Sequence, residues 1–483
     1  MMDFTSLTFL FLFLPLLVGI YLLVQERFRP ALLLVASLLF LAWGSSSALF
    51  AFAFLIGGNF IFGQWIEKSP VSKSRLTLGV IFNLALLIFY KVFTTYKPIW
   101  FVTAFERVLP DAVEKSILEL VYPIGLSYIA LQMISYLVDV ARGTVSGEKN
   151  FLHFAFYVTL FPKIPTGPIT AYRSIRENLS APAPALSDVA DGLRRFAIGL
   201  IKKTLIADGL AKIANPAFNL PSPNFSPQIA WLALLAFTLQ IYYDFSGFTD
   251  MAIGLGRVFG FTFPENFNQP FTAKSVGEFW RRWHMSLSAW FREYVFYPLE
   301  RRRIPLFGQQ LNILIVFAFT GLWHGLTPTF LVWGLIHGLA LALESTAFGR
   351  WLKSAWRPAQ FVYTFSIVAF SWIFFRSPSL TFSLQFIQRL AGDTANITPL
   401  PFSVTRPLPF IDPTTWIALA VAILLQTPLA SLLTSWWARL SGRFPRFGIF
   451  SRPLTDVFLL ALFWSAIAVL VSGGFAPGIY DKF

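Results

Sequence analysis

The residues best suited to chemistry in this sequence are its four histidines, because an imidazole can take up or give up a proton near neutral pH. His324 stands in the stretch Thr320-Gly-Leu-Trp-His324-Gly, between two long apolar runs. Burial in apolar surroundings favours the neutral imidazole, which can act as a general base toward a hydroxyl. The competing interpretation is a packing histidine that is bonded to a neighbouring carbonyl.

A second histidine, His284, lies in a segment rich in tryptophan and arginine, Glu278-Phe-Trp-Arg-Arg-Trp-His284. This mixture is typical of a membrane interface, where rings sit among headgroups and guanidinium groups reach water. Arg281 and Arg282 are equally suited to hold the phosphates of a donor molecule, because a guanidinium can bond two phosphate oxygens at once. The two interpretations are compatible.

The other two histidines carry less information. His337, in Trp333-Gly-Leu-Ile-His337, lies on an apolar helix face and has the same standing as His324 when the residues alone are considered. His153 opens an apolar segment, so we expect it at the membrane interface.

Two carboxylates also stand in apolar context, Asp244 and Asp250. We expect them to cap or hydrogen-bond a helix break near Gly247, since Asp and Ser are preferred caps. The alternative is that Asp244 orients an imidazole or lines a hydrophilic channel.

The elements that must position these residues are membrane helices. Of the 483 residues, 56% are hydrophobic and 13% are charged, whereas soluble chains carry about a quarter charged residues. Residues 7–24 contain no charge, and a span needs about 20 such residues. Because Asp3 precedes this run and no positive region does, we interpret it as a retained first span rather than a signal peptide.

The apolar runs predict an all-α polytopic membrane protein with roughly 11–12 transmembrane helices. No fixed-period repeat or soluble segment is evident, so we expect a single membrane domain over residues 1–483. A weaker candidate, 196–213, contains Lys202 and Lys203. The remaining runs are 31–66 (with a break near Trp43-Gly44-Ser45), 76–95, 119–140, 229–250, 305–322, 327–346, 360–377, 414–436 and 455–474.

The net charge of +14 does not indicate nucleic acid, because the basic residues occupy short loops between apolar runs. Placing the basic clusters in the cytoplasm predicts an extracytoplasmic N-terminus, with the weakly basic segments 214–228 and 392–412 outside. The chain has no cysteine, no Gly-x-Ser-x-Gly and no His-Glu-x-x-His, so we predict no metal site and no serine hydrolase. The basic clusters contain Arg173, Arg176, Arg194 and Arg195, then Lys274, Arg281, Arg282, Arg292 and Arg301 to Arg303, then Arg439, Arg443, Arg446 and Arg452.

An ordered series of motifs resembles the membrane-bound O-acyltransferase family, in particular its bacterial branch, typified by the membrane subunit of alginate O-acetylation. The likeness runs from the first apolar run to about residue 380. Its motifs are Tyr122-Pro-Ile-Gly-Leu-Ser-Tyr, Ser135-Tyr-Leu-Val-Asp139, Phe161-Pro-Lys-Ile-Pro-Thr-Gly-Pro168-Ile, Gly199-Leu-Ile-Lys-Lys-Thr-Leu-Ile-Ala-Asp208, Tyr243-Asp-Phe-Ser-Gly-Phe-Thr-Asp-Met-Ala-Ile-Gly254, Pro264-Glu-Asn-Phe-Asn268, Phe279-Trp-Arg-Arg-Trp-His284, Gly321-Leu-Trp-His324-Gly and Trp372-Ile-Phe-Phe-Arg376.

The resemblance implies tilted helices around a central channel, with His324 as the catalytic histidine and His284 as a second histidine that assists. Trp323 and Asp244 are expected to line the channel or orient the imidazoles. No bound cofactor is implied. Acetyl-CoA is the expected acyl donor, approaching from the cytoplasm, and Arg281 and Arg282 are expected to bind it.

The resemblance also implies an acceptor and a location. We expect acetyl transfer to hydroxyls of an extracytoplasmic polysaccharide, with an esterase-like or acetyltransferase-like partner protein, in the inner cell membrane. Peptidoglycan, teichoic acid or a lipid are alternative acceptors. An exporter of an envelope intermediate that makes no bonds is the alternative from another class; it predicts paired broken helices in two repeated halves, which the sequence does not show.

Overall fold

The fold is known from a computed structural model, which describes residues 3–473 except 45, 71, 97–120, 179–183, 302–307, 396, 398–410 and scattered positions between 428 and 444. The described residues form helices and no strand, which confirms the all-α prediction. Arg302, Arg303 and most of the segment 392–412 lie outside the described residues.

The helices follow the apolar runs closely, and the predicted break in the run 31–66 falls between the second and third helices. The first nine are α1 (Leu14–Leu23), α2 (Arg29–Gly44), α3 (Ser46–Glu67), α4 (Lys73–Tyr96), α5 (Leu126–Ala141), α6 (Phe151–Thr159), α7 (Tyr172–Asn178), α8 (Leu186–Ile201) and α9 (Asp208–Phe218). The others are α10 (Pro227–Val258), α11 (Val276–Arg282), α12 (Met285–Phe291), α13 (Tyr297–Arg301), α14 (Gly308–His324), α15 (Pro328–Glu344), α16 (Ala347–Ser354), α17 (Arg357–Arg376), α18 (Leu380–Leu390), α19 (Pro413–Leu425) and α20 (Pro445–Val471).

The chain divides into two compact units, residues 1–196 with 251–264, and residues 197–250 with 265–479. In the first unit, α3 and α4 are joined by a reciprocal pair of hydrogen bonds between Asn59 and Asn83, at 2.9 and 2.8 Å. Both side chains are fully buried, and such amide pairs join helices where no water is present to compete. The prediction of one domain over 1–483 stays a prediction.

Helices of membrane-spanning length confirm a multi-pass membrane protein. Five described stretches are long and apolar enough to cross a bilayer. A sixth is possible if α15 and α16, which meet at a bend of 81°, form one broken span. The predicted count of 11–12 spans and the central channel stay predictions. The five stretches are Leu49–Glu67, Lys73–Tyr96, Pro227–Val258, Arg357–Arg376 and Pro453–Val471.

The prediction of a helix break near Gly247 is wrong, because α10 runs unbroken from Pro227 to Val258. Gly247 serves close packing instead. A Cβ added there would lie 2.8 Å from the carbonyl oxygen of Gly199, so only glycine lets the neighbouring backbone approach this closely.

A π-helix at Lys202–Ala207 follows α8. It carries Lys202 and Lys203, the two charges that make 196–213 a weaker candidate span. Lys203 is buried and pairs with Asp208 at 2.5 Å and with Asp244 at 3.1 Å. Lys202 pairs with Asp250 at 2.6 Å. The carboxylates of α10 are therefore partners of lysines rather than helix caps.

The helices α14 and α15 pack through glycines. A Cβ on Gly334 would overlap the carbonyl oxygen of Phe317 and would lie 3.2 Å from the Cα of Gly321. Small residues at such crossings let helix backbones approach each other in membranes. This packing fixes the end of α14, where His324 stands.

Candidate active site

His324 is the last residue of α14 and lies in a pocket of aromatic rings. It is buried, with 3% of the residue exposed. The centroid of its imidazole lies 4.8 Å from that of Trp323, 5.0 Å from Trp333 and 5.2 Å from Phe375. Trp333 belongs to α15 and Phe375 to α17. Three helices therefore shield this imidazole from bulk water, which is the setting that a neutral general base requires.

His284 has a left-handed backbone conformation, with φ of 43° and ψ of 55°. For a non-glycine residue this costs about 1–2 kcal/mol, and Gln269 is the only other described non-glycine residue with positive φ. Asn266 holds the turn. Its carbonyl oxygen accepts from Met285 N and its Oδ1 accepts from Ser286 N, each at 3.0 Å.

The same Asn266 Oδ1 lies 3.4 Å from Nδ1 of His284. An amide oxygen can only accept, so in this contact Nδ1 carries the proton and Nε2 is the basic nitrogen. His284 is almost fully buried, with 1% exposed. One asparagine therefore supports both the backbone and the ring of this histidine.

Trp323 joins the two histidines that the sequence singled out. Its ring centroid lies 4.8 Å from that of His324 and 6.5 Å from that of His284. Phe245 of α10 adds an edge contact to His284 at 4.7 Å. The structure thus brings His324, His284 and Trp323 together, while the roles that the sequence analysis gives them in a reaction stay predictions.

Two buried indole N–H groups at this site have no hydrogen-bond acceptor among the described residues, those of Trp333 and Trp372. Their rings stack with centroids 5.8 Å apart, and the Trp333 ring contacts His324. Leaving a buried donor unpaired costs about 1–3 kcal/mol, so such a group is suited to receive an oxygen atom of a substrate.

His337 differs from His324 in its partners. Trp280 Nε1 donates to its Nδ1 at 3.2 Å, and Ser371 Oγ lies 2.9 Å from its Nε2. An indole nitrogen only donates, so Nδ1 is the acceptor and Nε2 carries the proton. Ser371 in turn donates to the carbonyl of Val368. Both ring nitrogens are engaged, so His337 ties α11, α15 and α17 together and is not available as a base.

Asp244 directly precedes Phe245, whose ring contacts His284. The carboxylate of Asp244 itself pairs with Lys203. A direct role in orienting an imidazole or lining a channel stays a prediction. The helix turn that carries Asp244 also carries Phe245, so the ion pair and the histidine contact share one piece of backbone.

The two arginines that the sequence assigns to a donor differ in the structure. Arg282 donates to Glu278 Oε1 at 2.6 Å and to Thr272 Oγ1 at 3.0 Å. Arg281 is exposed and lines a surface cleft. The structure therefore leaves Arg281 facing a cleft and uses Arg282 to hold the segment that precedes His284.

Sequence reasoning missed Asn266 and Phe245 as supports of His284. Both lie within motifs that the resemblance rests on, Pro264-Glu-Asn-Phe-Asn268 and Tyr243-Asp-Phe-Ser-Gly. That signal marked the segments as important, but nothing local in either one indicates a partner 18 or more residues away. The exposed His153 follows the Asn150 cap of α6, outside this site.

Comparison with known proteins points to a single family. The family model described as MBOAT, membrane-bound O-acyltransferase family, matches residues 36–387. The chain is 40% identical over 385 residues to a probable alginate O-acetylase AlgI of Azotobacter vinelandii, covering 78% of this chain and 76% of that protein.

Two further relatives carry other names. A peptidoglycan O-acetyltransferase of Helicobacter pylori is 31% identical over 431 residues, which cover 80% of each chain. A teichoic acid D-alanyltransferase of Bacillus subtilis is 29% identical over 272 residues, covering 52% of this chain and 68% of that protein. The match therefore spans relatives whose names differ in the acceptor.

Proposed function

Because the chain belongs to the membrane-bound O-acyltransferase family and is an O-acyltransferase, we propose that it moves an acetyl group from cytoplasmic acetyl-CoA to hydroxyls of an extracytoplasmic polysaccharide. The observation that supports this reaction is the buried pair of histidines around Trp323, one at a helix end and one in a strained turn. The likeness to a protein named alginate O-acetylase favours a uronic acid polymer as acceptor.

His324 is the proposed general base. It takes the proton of an acceptor hydroxyl while that oxygen attacks the thioester carbonyl carbon of the donor. The new C–O bond forms, the C–S bond breaks, and the proton passes from the imidazolium to the departing thiolate. Placing this base where aromatic rings exclude water protects the thioester from hydrolysis.

His284 and Trp333 are the proposed assistants of this step. With its Nδ1 turned toward Asn266, His284 presents Nε2 to accept a hydrogen bond from a second hydroxyl of the polysaccharide, since the proton of the reacting hydroxyl goes to His324. The indole N–H of Trp333, which finds no acceptor among the residues that the structure describes, is suited to donate to the carbonyl oxygen, on which negative charge develops in the transition state.

The location and partner follow from the same proposal. The protein lies in the inner membrane with its N-terminus outside, and a separate esterase-like or acetyltransferase-like protein is its extracytoplasmic partner. Peptidoglycan is a second candidate acceptor, because the Helicobacter relative named peptidoglycan O-acetyltransferase matches over 80% of each chain. Teichoic acid and lipid acceptors rank behind these two.

The test is to supply membranes that contain the native chain with isotope-labelled acetyl-CoA. Ester-linked label is then measured by mass spectrometry in three separated fractions: soluble polysaccharide, peptidoglycan and lipid. The proposal predicts label in the polysaccharide fraction that mild base releases. Label confined to peptidoglycan or lipid would contradict the proposed acceptor while leaving the acyl transfer intact.

A further inference from the structure

A surface cleft of about 460 Å³ lies among residues of α11, the helix that precedes His284, and of α15, α16 and α17. Four cationic side chains line it, and all four are exposed. Two carboxylates line it as well, Glu278 and Glu344. The four cations are Lys274, Arg281, Lys353 and Arg357.

The two carboxylates are engaged by groups other than these cations. Glu344 accepts from the backbone N–H groups of Val276 at 2.6 Å and Gly277 at 2.9 Å, one on each oxygen. Glu278 accepts from Arg282 at 2.6 Å and from the backbone N–H of Lys274 at 2.9 Å, again one on each oxygen. Both acids therefore hold the start of α11 in place.

None of the four cations forms an ion pair with a carboxylate among the described residues. Other lysines and arginines of the same unit do find such partners, as Lys203 and Lys212 show. In the part of the chain that the structure describes, the cleft thus gathers four cations that form no ion pair against two carboxylates, so its lining is net positive and suits an anion.

The frame of the cleft is fixed by a buried amide. Nε2 of Gln360 donates toward the carbonyl oxygens of Leu352 at 2.8 Å, Lys353 at 3.1 Å and Ala355 at 3.0 Å. Leu352 and Lys353 lie in the last turn of α16 and Ala355 follows it, so Gln360 holds the turn between α16 and α17. Lys353 and Arg357 stand on the two sides of that turn.

We propose that this cleft binds the phosphate groups of the acyl donor, with Arg281, Lys353 and Arg357 as the principal contacts. Guanidinium and ammonium groups suit this because they form charge-assisted hydrogen bonds with phosphate oxygens. The assignment rests on the proposed acetyl-CoA donor and deepens it. It transfers the role first given to Arg282 to cations of α16 and α17.

The position of the cleft fits this role. Arg281 is three residues before His284, and Trp283 between them packs against Trp372 with ring centroids 5.1 Å apart. A donor held by its phosphates at Arg281 therefore lies at the end of the segment that leads to the histidines. In this proposal the flexible thioester arm of the donor extends from there to the buried imidazoles.

The experiment measures binding without turnover. The full chain carrying His324→Ala is placed in nanodiscs of phosphatidylcholine, and its affinity for coenzyme A and for dephospho-coenzyme A is measured by titration. Arg281→Gln, Lys353→Gln and Arg357→Gln are compared with Arg350→Gln, an exposed arginine on α16 that does not line the cleft.

We expect each cleft variant to weaken coenzyme A binding about tenfold, which is the scale of one charge-assisted hydrogen bond. Arg350→Gln should leave the affinity unchanged. Dephospho-coenzyme A should bind the unaltered cleft more weakly than coenzyme A, and added salt should weaken both.

Three results would overturn the proposal in different ways. Equal coenzyme A affinity in all four variants would remove the donor from this cleft but leave the proposed reaction standing. No coenzyme A binding even with the cleft intact would remove the proposed donor itself. Cleft variants that change only the binding of phosphatidylglycerol, added to the nanodiscs, would make the cleft a lipid headgroup site.

Discussion

At the scale of single residues, three buried histidines of similar sequence context have different surroundings. His324 is enclosed by aromatic rings, His284 is held in a strained turn by Asn266, and His337 is bonded at both nitrogens. The sequence could select His324 and His284 because each stands in a motif of the family. Without that resemblance, residue context alone could not separate His337 from His324, since the partners of His337 come from two other helices.

His337→Phe should destabilise the protein rather than stop its chemistry. The change leaves the indole N–H of Trp280 without an acceptor, and an orphaned buried donor costs about 1–3 kcal/mol. His337→Asn, whose carbonyl oxygen can still accept near Nδ1, should lose less. Thermal unfolding in detergent would measure the difference, and a Phe variant as stable as the native protein would contradict this account of His337.

The strain at His284 predicts an unusual order of stability between two inactive variants. Glycine adopts positive φ without a steric cost, so His284→Gly should be more stable than His284→Ala by about 1 kcal/mol. Both should reduce acyl transfer to a similar extent because both lack the imidazole. Chemical or thermal unfolding of the two purified variants gives the comparison, and an alanine variant as stable as the glycine variant would show that the turn is not strained.

At the scale of elements, the π-helix Lys202–Ala207 and the unbroken helix α10 meet at a buried ion triad. The sequence predicted capping aspartates because Asp and Ser beside glycine are typical of helix ends. The structure instead uses Gly247 for close packing and both aspartates as partners of lysines. Local propensity could not reveal this, because the lysines stand more than 40 residues earlier in the chain.

Lys203→Met should be strongly destabilising, by about 3–5 kcal/mol, because it leaves Asp208 and Asp244 buried without their shared cation. Replacing all three, with Asp208→Asn and Asp244→Asn added, should recover much of the loss, since a neutral set carries no uncompensated charge. Membrane abundance and thermal unfolding would show it. A triple variant less stable than Lys203→Met would contradict the role given to the triad.

At the scale of the whole molecule, the apolar runs located the helices well, because a span must satisfy its backbone internally and be apolar along its length. The number of spans was harder to predict. Several apolar helices are only 10–17 residues long, such as Leu126–Ala141 and Pro413–Leu425, and α15 bends sharply into α16. Hydropathy alone does not tell such pieces from full spans.

The predicted orientation can be tested cleanly because the chain has no cysteine. A single Arg350→Cys, next to the basic cleft, should react with an impermeant maleimide only after the cytoplasmic face is opened. Thr394→Cys, in the segment predicted to lie outside, should react in intact cells. Ala230→Cys, which is fully buried, is the unreactive control. The reverse pattern of labelling would place the N-terminus in the cytoplasm.

The most direct test of the central claim, that His324 is the base of an acyl transfer, compares native membranes with His324→Ala and His337→Asn at equal protein abundance. Each is supplied with labelled acetyl-CoA, and ester-linked label in envelope polysaccharide is quantified. The account predicts a loss of at least about 100-fold in His324→Ala, the scale of general base catalysis, and near-native transfer per folded molecule in His337→Asn. Equal transfer by native and His324→Ala membranes would show that His324 only packs, and would contradict the account.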